Sequence, residues 1–228
     1  MRYDNIVNGI FIKRLNRFTA TVMIDGTETY VHVKNTGRLG ELLLEGARVS
    51  LQKADNPSRK TGFDLIGVYR DGTGWVNVDS QISNALVRDW LGSGSTPFGK
   101  LDLIRPEYTY GSSRIDIYAE KEGRRILMEV KGCTLEREGT GLFPDAPTER
   151  GSKHLRELSG AVKEGYEAYI AFVIAVPGPL TVRANEKTDP SFSRELENAR
   201  SAGVRTIYLP CAVTSDSIEI INDKVRTD

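Results

Sequence analysis

The feature that most constrains this chain is an alternating run, Ser113-Arg114-Ile115-Asp116-Ile117-Tyr118, followed across the turn Lys121-Glu122-Gly123-Arg124 by Arg125-Ile126-Leu127-Met128-Glu129-Val130-Lys131. Two such runs around a short Gly-containing turn predict a β-hairpin. With the turn centred on Glu122-Gly123, residue 121 pairs with 124, and the register carries down to Asp116 opposite Glu129. Opposed residues of an antiparallel pair point to one face with Cβ atoms ~5 Å apart, and like charges there repel. A divalent cation removes that repulsion. Lys131 shares the face of Glu129, while Ile126, Met128 and Val130 point the other way into a core. Two carboxylates and one ammonium on one surface suit phosphodiester hydrolysis, in which a metal polarises the phosphoryl oxygen and activates water while the amine steadies developing charge. The same residues also allow a plainer reading: Arg114 falls opposite Lys131, and the four charges form a solvated salt-bridge ladder. A Glu-Gly turn signals a hairpin less strongly than Asn-Gly or Asp-Gly, and a one-residue slip puts the acids on opposite faces.

Composition narrows the partners. Lys plus Arg and Asp plus Glu both number 31, so no global positive field advertises nucleic acid, and any such binding requires local segregation of charge. Cys133 and Cys211 are too far apart for a metal-ligand spacing and read as reduced thiols of a cytoplasmic protein, and with His32 and His154 as the only imidazoles a structural zinc site is not expected. The N-terminus lacks the apolar region of a signal peptide, and the longest apolar run, Ile170 to Val176, is too short to cross a bilayer. A cytoplasmic protein with no membrane partner is expected.

The chain divides at about residue 78. Residues 1–78 read as some five short strands: Ile6 to Phe18, Thr19 to Ile24, Thr27 to Val33, Arg48 to Lys53 and Leu65 to Tyr69, with a strong hairpin signal at Asp25-Gly26. That number of strands in that length suits an oligonucleotide-binding (OB) type barrel, though a sandwich or an SH3-like barrel fits as well. Lys13, Arg14 and Arg17 beside Phe11 and Phe18, with Arg59 and Lys60 on a basic turn, are the ingredients of a single-strand platform, or equally of a solvated barrel face over core aromatics.

Residues 79–228 alternate helix and strand. A helix is expected over Asp79 to Leu91 with its N-cap at Asp79 or Ser80, and Asp89 is a possible third acid for the site; a linker-like Gly92-Ser93-Gly94-Ser95 follows. Gly132 to Pro147 shows no periodicity and reads as a long functional loop. Thr148 can cap a helix whose first turns carry Arg150, Lys153, His154 and Arg156, a seat for a phosphate backbone. A buried strand from Tyr169, a helix near Ser193 to Ala202, and strands at Arg205 to Leu209 and Ser217 to Ile221 complete a three-layer α/β/α domain.

Several long blocks in fixed order carry a family resemblance: Asn35-Thr36-Gly37, Asp55-Asn56-Pro57, Tyr110-Gly111-Ser112-Ser113-Arg114-Ile115-Asp116, Glu129-Val130-Lys131, Phe143-Pro144-Asp145-Ala146 and Arg150-Gly151-Ser152-Lys153-His154-Leu155-Arg156-Glu157-Leu158. Over essentially its full length the chain resembles the sugar fermentation stimulation protein A family. The resemblance implies an OB-like barrel joined to a domain of the PD-(D/E)XK nuclease type, in a family described as DNA-binding. It places the superfamily's acids on Asp116 and Glu129 and its lysine on Lys131. The helical acid falls on Asp89, where the family tends to have Glu, and Lys153 and His154 fall near the scissile phosphate. Arg38-Leu39 stands where Ser-Met is usual, Pro147 where a β-branched residue is usual, and Ser152 where Gln is usual; the first change adds a cation to a binding loop.

The expectation is thus a nuclease acting on DNA with Mg²⁺ or Mn²⁺. Asp116, Glu129, the Val130 carbonyl and Asp89 are its metal ligands, since an oxygen-only shell suits a hard cation. Lys131 and Lys153 complete the catalytic group. Lys13, Arg14, Arg17, Asn35, Thr36, Arg38, Arg59, Lys60, Arg114, Arg150 and His154 form the nucleic-acid surface. The alternatives are a non-catalytic DNA-binding regulator related to sugar metabolism and an assembly protein without a nucleic-acid partner. Nothing in the sequence distinguishes single- from double-stranded DNA, or DNA from RNA.

Overall fold

The structure, a computed structural model, describes residues 1–56 and 58–228; of the block Asp55-Asn56-Pro57, Pro57 lies outside the described residues. The strands β1 (Ile6–Asn16), β2 (Thr19–Ile24) and β3 (Thr27–Val33) form an antiparallel meander. β4 (Arg48–Lys53) pairs with β1, β5 (Phe63–Arg70) with β4, and β6 (Gly74–Asn77) with β5. The meander turns at Asp25 (φ 47°) and Gly26 (φ 78°), the left-handed pair that matches strand twist in a two-residue hairpin. A short parallel contact, His32 with Asp64 and Val33 with Leu65, joins β3 to β5. It closes β1-β2-β3-β5-β4 into a five-stranded OB-like barrel, as the strand count implied. Val22, Val31, Val33, Val49, Leu51, Leu65 and Val68 fill it. Phe11 belongs to this core at 2% exposure and offers no stacking face, whereas Phe18 is half exposed beside His32.

The second unit is the expected α/β/α sandwich. Its elements are α1 (Ile82–Gly92), β7 (Leu103–Tyr110), β8 (Ser113–Lys121), β9 (Arg124–Cys133), β10 (Leu135–Arg137), β11 (Thr140–Phe143), α2 (Glu149–Lys163), β12 (Glu167–Ile174), β13 (Val182–Ala184), α3 (Pro190–Ser201), β14 (Arg205–Val213), β15 (Ile218–Ile220) and β16 (Arg226–Thr227). The main sheet runs β15-β14-β12-β9-β8-β7 with β16 on β14; β9, β12 and β14 are parallel, and β7-β8-β9 is an antiparallel meander. Residue parity decides what each face meets. Ile117, Met128 and Val130 pack with Leu86, Val87 and Trp90 of α1, while Tyr118, Leu127 and Phe172 pack with Leu155 and Leu158 of α2 and Phe192 of α3. Pro106 sits in β7, at the sheet edge, where a residue without an N–H is tolerated.

Two local expectations need correction. The stretch 132–147 is no structureless loop: β10 and β11 form a hairpin turning at Glu138 (φ 52°) and Gly139 (φ 76°), with β13 added parallel to β11. Strands of three and four residues are too short to show a period. Helix α1 begins at Ile82 with Gln81 rather than Asp79 or Ser80 at the N-cap position; Asp79 stands two residues before it, with one oxygen on the Gln81 N–H and the other on Lys34. As expected, the helix ends at the Gly92-Ser93-Gly94-Ser95 stretch: Gly92 is its last residue, Ser93 caps it with its N–H returning to the Asp89 and Trp90 carbonyls, and Gly94 and Ser95 lie beyond it. Among the described residues no helix is long and apolar enough to cross a membrane.

Candidate metal and phosphodiester site

The β8–β9 hairpin has the register read from its sequence. Lys121 pairs with Arg124, and the ladder runs to Ile117 opposite Met128 about a two-residue turn at Glu122 (φ 50°) and Gly123 (φ 78°). At the next step the two strands part. The Asp116 side chain replaces the missing backbone partner, its Oδ2 accepting the Val130 N–H at 2.8 Å, while its Oδ1 accepts Asn84 Nδ2 of α1 at 2.7 Å. β9 meanwhile continues beside β12, with Glu129 opposite Ile170 and Lys131 opposite Phe172. The fork between β8 and β9 thus places Asp116, Glu129, Val130 and Lys131 along the floor of a cleft of about 520 Å³.

Glu129 is 2% exposed. Its Oε1 accepts Lys131 Nζ at 2.6 Å and also meets His154 Nδ1 of α2. Its Oε2 is buried with no hydrogen-bond partner among the described residues. Burial alone pushes the Glu129 carboxyl up, but Lys131 and His154 outweigh it and hold the group below its ordinary value. Asp116 goes the other way: burial, and then the Glu129 charge, raise it despite Lys131, the Val130 N–H and Asn84. One acid is kept ionised, and its neighbour faces that charge with no cation of its own. The solvated ladder does not form, because Arg114 pairs with Glu107 at 2.8 Å on the surface and Lys131 points inward.

The walls come from distant segments. Ser83 and Asn84 of α1 stand on one side and Arg150 and Gly151 of α2 on another; Phe143, the cis-linked Pro144 and Asp145 follow β11, and Arg17, Asn35, Thr36 and Gly37 reach over from the barrel. Asn35 Nδ2 donates to the Val78 carbonyl at 3.0 Å, and the Leu39 N–H donates to Asp145 Oδ2 at 3.3 Å. A Cβ on Gly37 would lie 2.4 Å from Asp145 Oδ2, so this approach requires glycine. The blocks Asn35-Thr36-Gly37 and Phe143-Pro144-Asp145 are therefore two halves of one wall.

Other expected site residues lie elsewhere. Asp89 is exposed and paired with Arg88 at 3.0 Å, about 140° around α1 from Asn84, so it is no third ligand. Lys153 turns away from the cleft, its Nζ donating to the Ser112 carbonyl at 2.9 Å, so it is not in the catalytic group. His154, 3% exposed, cannot reach a phosphate backbone on the surface. Arg14 spends its guanidinium on the carbonyls of Asn16, Arg17, Asn35, Gly37 and Arg38, clamping the wall loop from behind. Arg59 forms a bidentate pair with Asp64 at 2.6 and 3.1 Å beside Lys60, in a second hollow with His32 and Lys34. Lys13, Arg38 and Arg114 are exposed outside the cleft. Arg17, Asn35, Thr36 and Arg150 do line it. Sequence reasoning missed Asn84 and Asp145; the Phe143-Pro144-Asp145-Ala146 block was the signal for the latter.

Among the described residues no three His, Cys, Asp or Glu side chains form a ready-made metal cage. The donor set still fits a hard cation: two carboxylates and a carbonyl, all oxygen, with one carboxylate oxygen buried and unpartnered and the other acid held against its charge.

Comparison with known proteins follows the same division. Residues 12–78 match the family model described as SfsA N-terminal OB domain, and residues 81–217 that described as sugar fermentation stimulation protein RE domain. The chain is 52% identical over 219 residues to a sugar fermentation stimulation protein homolog of Desulfitobacterium hafniense, covering 96% of this chain and 95% of the relative. It is 49% identical over 220 residues to the homolog of Clostridium beijerinckii, covering 96% of both. Among solved structures it is similar to Pyrococcus furiosus SfsA in complex with Ca²⁺, with a TM-score of 0.87 and 26% identity over 97% of this chain and 96% of that one.

Proposed function

Because the chain belongs to the sugar fermentation stimulation protein family, we propose that its cleft hydrolyses phosphodiester bonds of DNA with Mg²⁺ or Mn²⁺. The observation that carries this reading is the buried Oε2 of Glu129, without a partner among the described residues, beside an acid whose proton affinity is raised by burial and then by that same carboxylate. Burying an unpaired carboxylate oxygen is costly, and a bound cation relieves both the desolvation and the like-charge repulsion. The description of the Pyrococcus furiosus relative as a Ca²⁺ complex supports a hard cation in this fold.

Asp116, Glu129 Oε2 and the Val130 carbonyl would hold the metal. When bound, it would polarise a phosphoryl oxygen and lower the pKa of a coordinated water. Lys131, tethered to Glu129 Oε1 by one of its three N–H groups, keeps two for the attacking water and the charge that develops on phosphorus. Arg150, in the first turn of α2, and Arg17, opposite it on the barrel, place cations on two sides of the cleft to seat the flanking phosphates, helped by the positive end of the helix. The proposed compartment is the cytoplasm, where the buried free thiols Cys133 and Cys211 remain reduced.

With Mg²⁺ or Mn²⁺ the purified protein should nick plasmid or single-stranded DNA, and Asp116→Ala or Lys131→Ala should each reduce the rate by at least ~100-fold. Cleavage that survives both substitutions refutes the assignment. Salt-sensitive DNA binding with no cleavage under any metal would leave the non-catalytic regulator as the correct reading.

A further inference from the structure

We infer that His154 is a positioning residue, which with Lys131 occupies Glu129 Oε1 and so reserves Oε2 as the single oxygen this side chain offers to the metal. The inference rests on the metal-dependent reading of the cleft. His154 lies on the buried stripe of α2 with Gly151, Leu155 and Leu158 and does not line the cleft, so it touches no substrate. One ring nitrogen, Nδ1, meets Glu129 Oε1. The other, Nε2, lies 3.4 Å from Arg150 Nε. A guanidinium only donates hydrogen bonds, so Nε2 must accept, and the ring hydrogen is left on Nδ1, where it is given to Glu129.

The consequence is an ordered carboxylate. Oε1 receives two donors, Lys131 and His154, while Oε2 receives none among the described residues. Held by Lys131 alone, the Glu129 side chain could exchange its two oxygens, and each exchange would carry the ammonium with it. A second donor from a different element, a helix packed on the sheet, fixes both the rotamer and the identity of the free oxygen. Hydrogen-bonded partners behind metal ligands orient them in this way, and their loss commonly weakens metal binding 10–100-fold. The link to Arg150 also ties the cation of the cleft wall to the ligand on its floor, through one turn of α2.

The test is Mn²⁺ binding to the full chain, measured by calorimetry and electron paramagnetic resonance without DNA. His154→Phe, which fills the space and removes the donor, should weaken Mn²⁺ at least tenfold. His154→Asn, whose amide nitrogen occupies the place of Nδ1, should stay within about threefold of the parent. Nitrogen-15 NMR of the unaltered protein needs no variant to fold: the chain has only two histidines, and His154 should be the tautomer protonated at Nδ1 with Nε2 bare. Mn²⁺ binding by His154→Phe as tight as that of the parent, or a proton on Nε2, overturns this inference and leaves the metal reading standing. A parent protein that binds no Mn²⁺ overturns the metal reading, and the inference with it.

Discussion

Two groups of buried acids in this molecule are built on opposite principles. At the seam between barrel and sandwich, Lys34 Nζ reaches Asp79 at 2.6 Å and Asp64 at 3.7 Å, and Arg59 closes on Asp64 from outside. Asp79 further accepts the Gln81 N–H at 3.0 Å, with the Tyr3 hydroxyl, held by Asn77, alongside. Both carboxylates are answered by cations and donors. Around Asp116 and Glu129, among the described residues, a single ammonium serves two acids and one oxygen goes without a partner, and the Asp116 carboxyl is held above its ordinary value. The first group welds the two units together. The second keeps an electrostatic deficit that a ligand can fill, which is where strained polar groups of a folded chain point to function.

The sharpest way to break this contrast is to unbalance the satisfied group. Lys34→Met keeps the apolar stem and removes the charge between Asp64 and Asp79. Losing one partner of a buried pair leaves an uncompensated charge, so urea unfolding should show a loss of about 3 kcal/mol. Adding Asp79→Asn should recover part of it. A loss below about 1 kcal/mol would mean that this seam is no more dependent on its charges than a surface pair.

The unsatisfied group should respond in the reverse sense. The folded pKa of Asp116 lies above its unfolded value, near 3.9, so folded protein binds that proton more tightly than unfolded protein does. The stability this contributes is complete below the unfolded value and lost as pH rises through the folded one. At pH 7 without metal the ionised acid is therefore a burden, and Asp116→Asn should raise the melting temperature by a few degrees. Glu129, held below its ordinary value by Lys131 and His154, contributes oppositely: its stabilisation is present above the unfolded value and lost as pH falls through the folded one. Mn²⁺ should stabilise the parent and not the variant. Its affinity should weaken as pH falls through the raised Asp116 pKa, by up to about tenfold per pH unit for the one proton displaced. A variant that melts lower than the parent in metal-free buffer would remove the claim of stored repulsion.

How much of this was legible depends on how local the cause was. The β8–β9 register from Lys121 opposite Arg124 to Ile117 opposite Met128 follows from alternation and one turn, both contained in about twenty residues, whereas the parting of the strands at Asp116, which turns its carboxylate onto the Val130 N–H instead of squarely opposite Glu129, does not. The barrel strands β2, β3 and β4 are equally local. The cleft wall is not: Gly37 meets Asp145, and Asn84 meets Asp116, only after the sheet has assembled, and no period in the sequence encodes either contact. Side-chain direction on helices was the other weak point. Residues 153 and 154 are neighbours in sequence but 100° apart on α2, which sends one amine out to Ser112 and one imidazole in to Glu129. Charge type alone made Arg14 a ligand for phosphate, whereas its five donors fit the carbonyls of its own loop.

The smallest expected effect tests that last point. Asp89 and Lys153 carry the residue types a nuclease site calls for, and sit at the helical positions where such residues are sought. Asp89 engages the exposed Arg88, and Lys153, itself partly exposed, donates to the exposed Ser112 carbonyl and lies 3.9 Å from the largely buried Glu157. Exposed pairs of this kind are worth under about 1 kcal/mol. Asp89→Ala and Lys153→Ala should therefore leave Mn²⁺ affinity and DNA cleavage within about twofold of the parent, set against the loss expected for Asp116→Ala. A tenfold loss at Asp89 would require α1 to rotate when substrate binds, bringing its exposed face over the cleft. The site would then be assembled by its ligand, and the contrast between a welded seam and a poised cleft would become one between a fixed joint and a moving one.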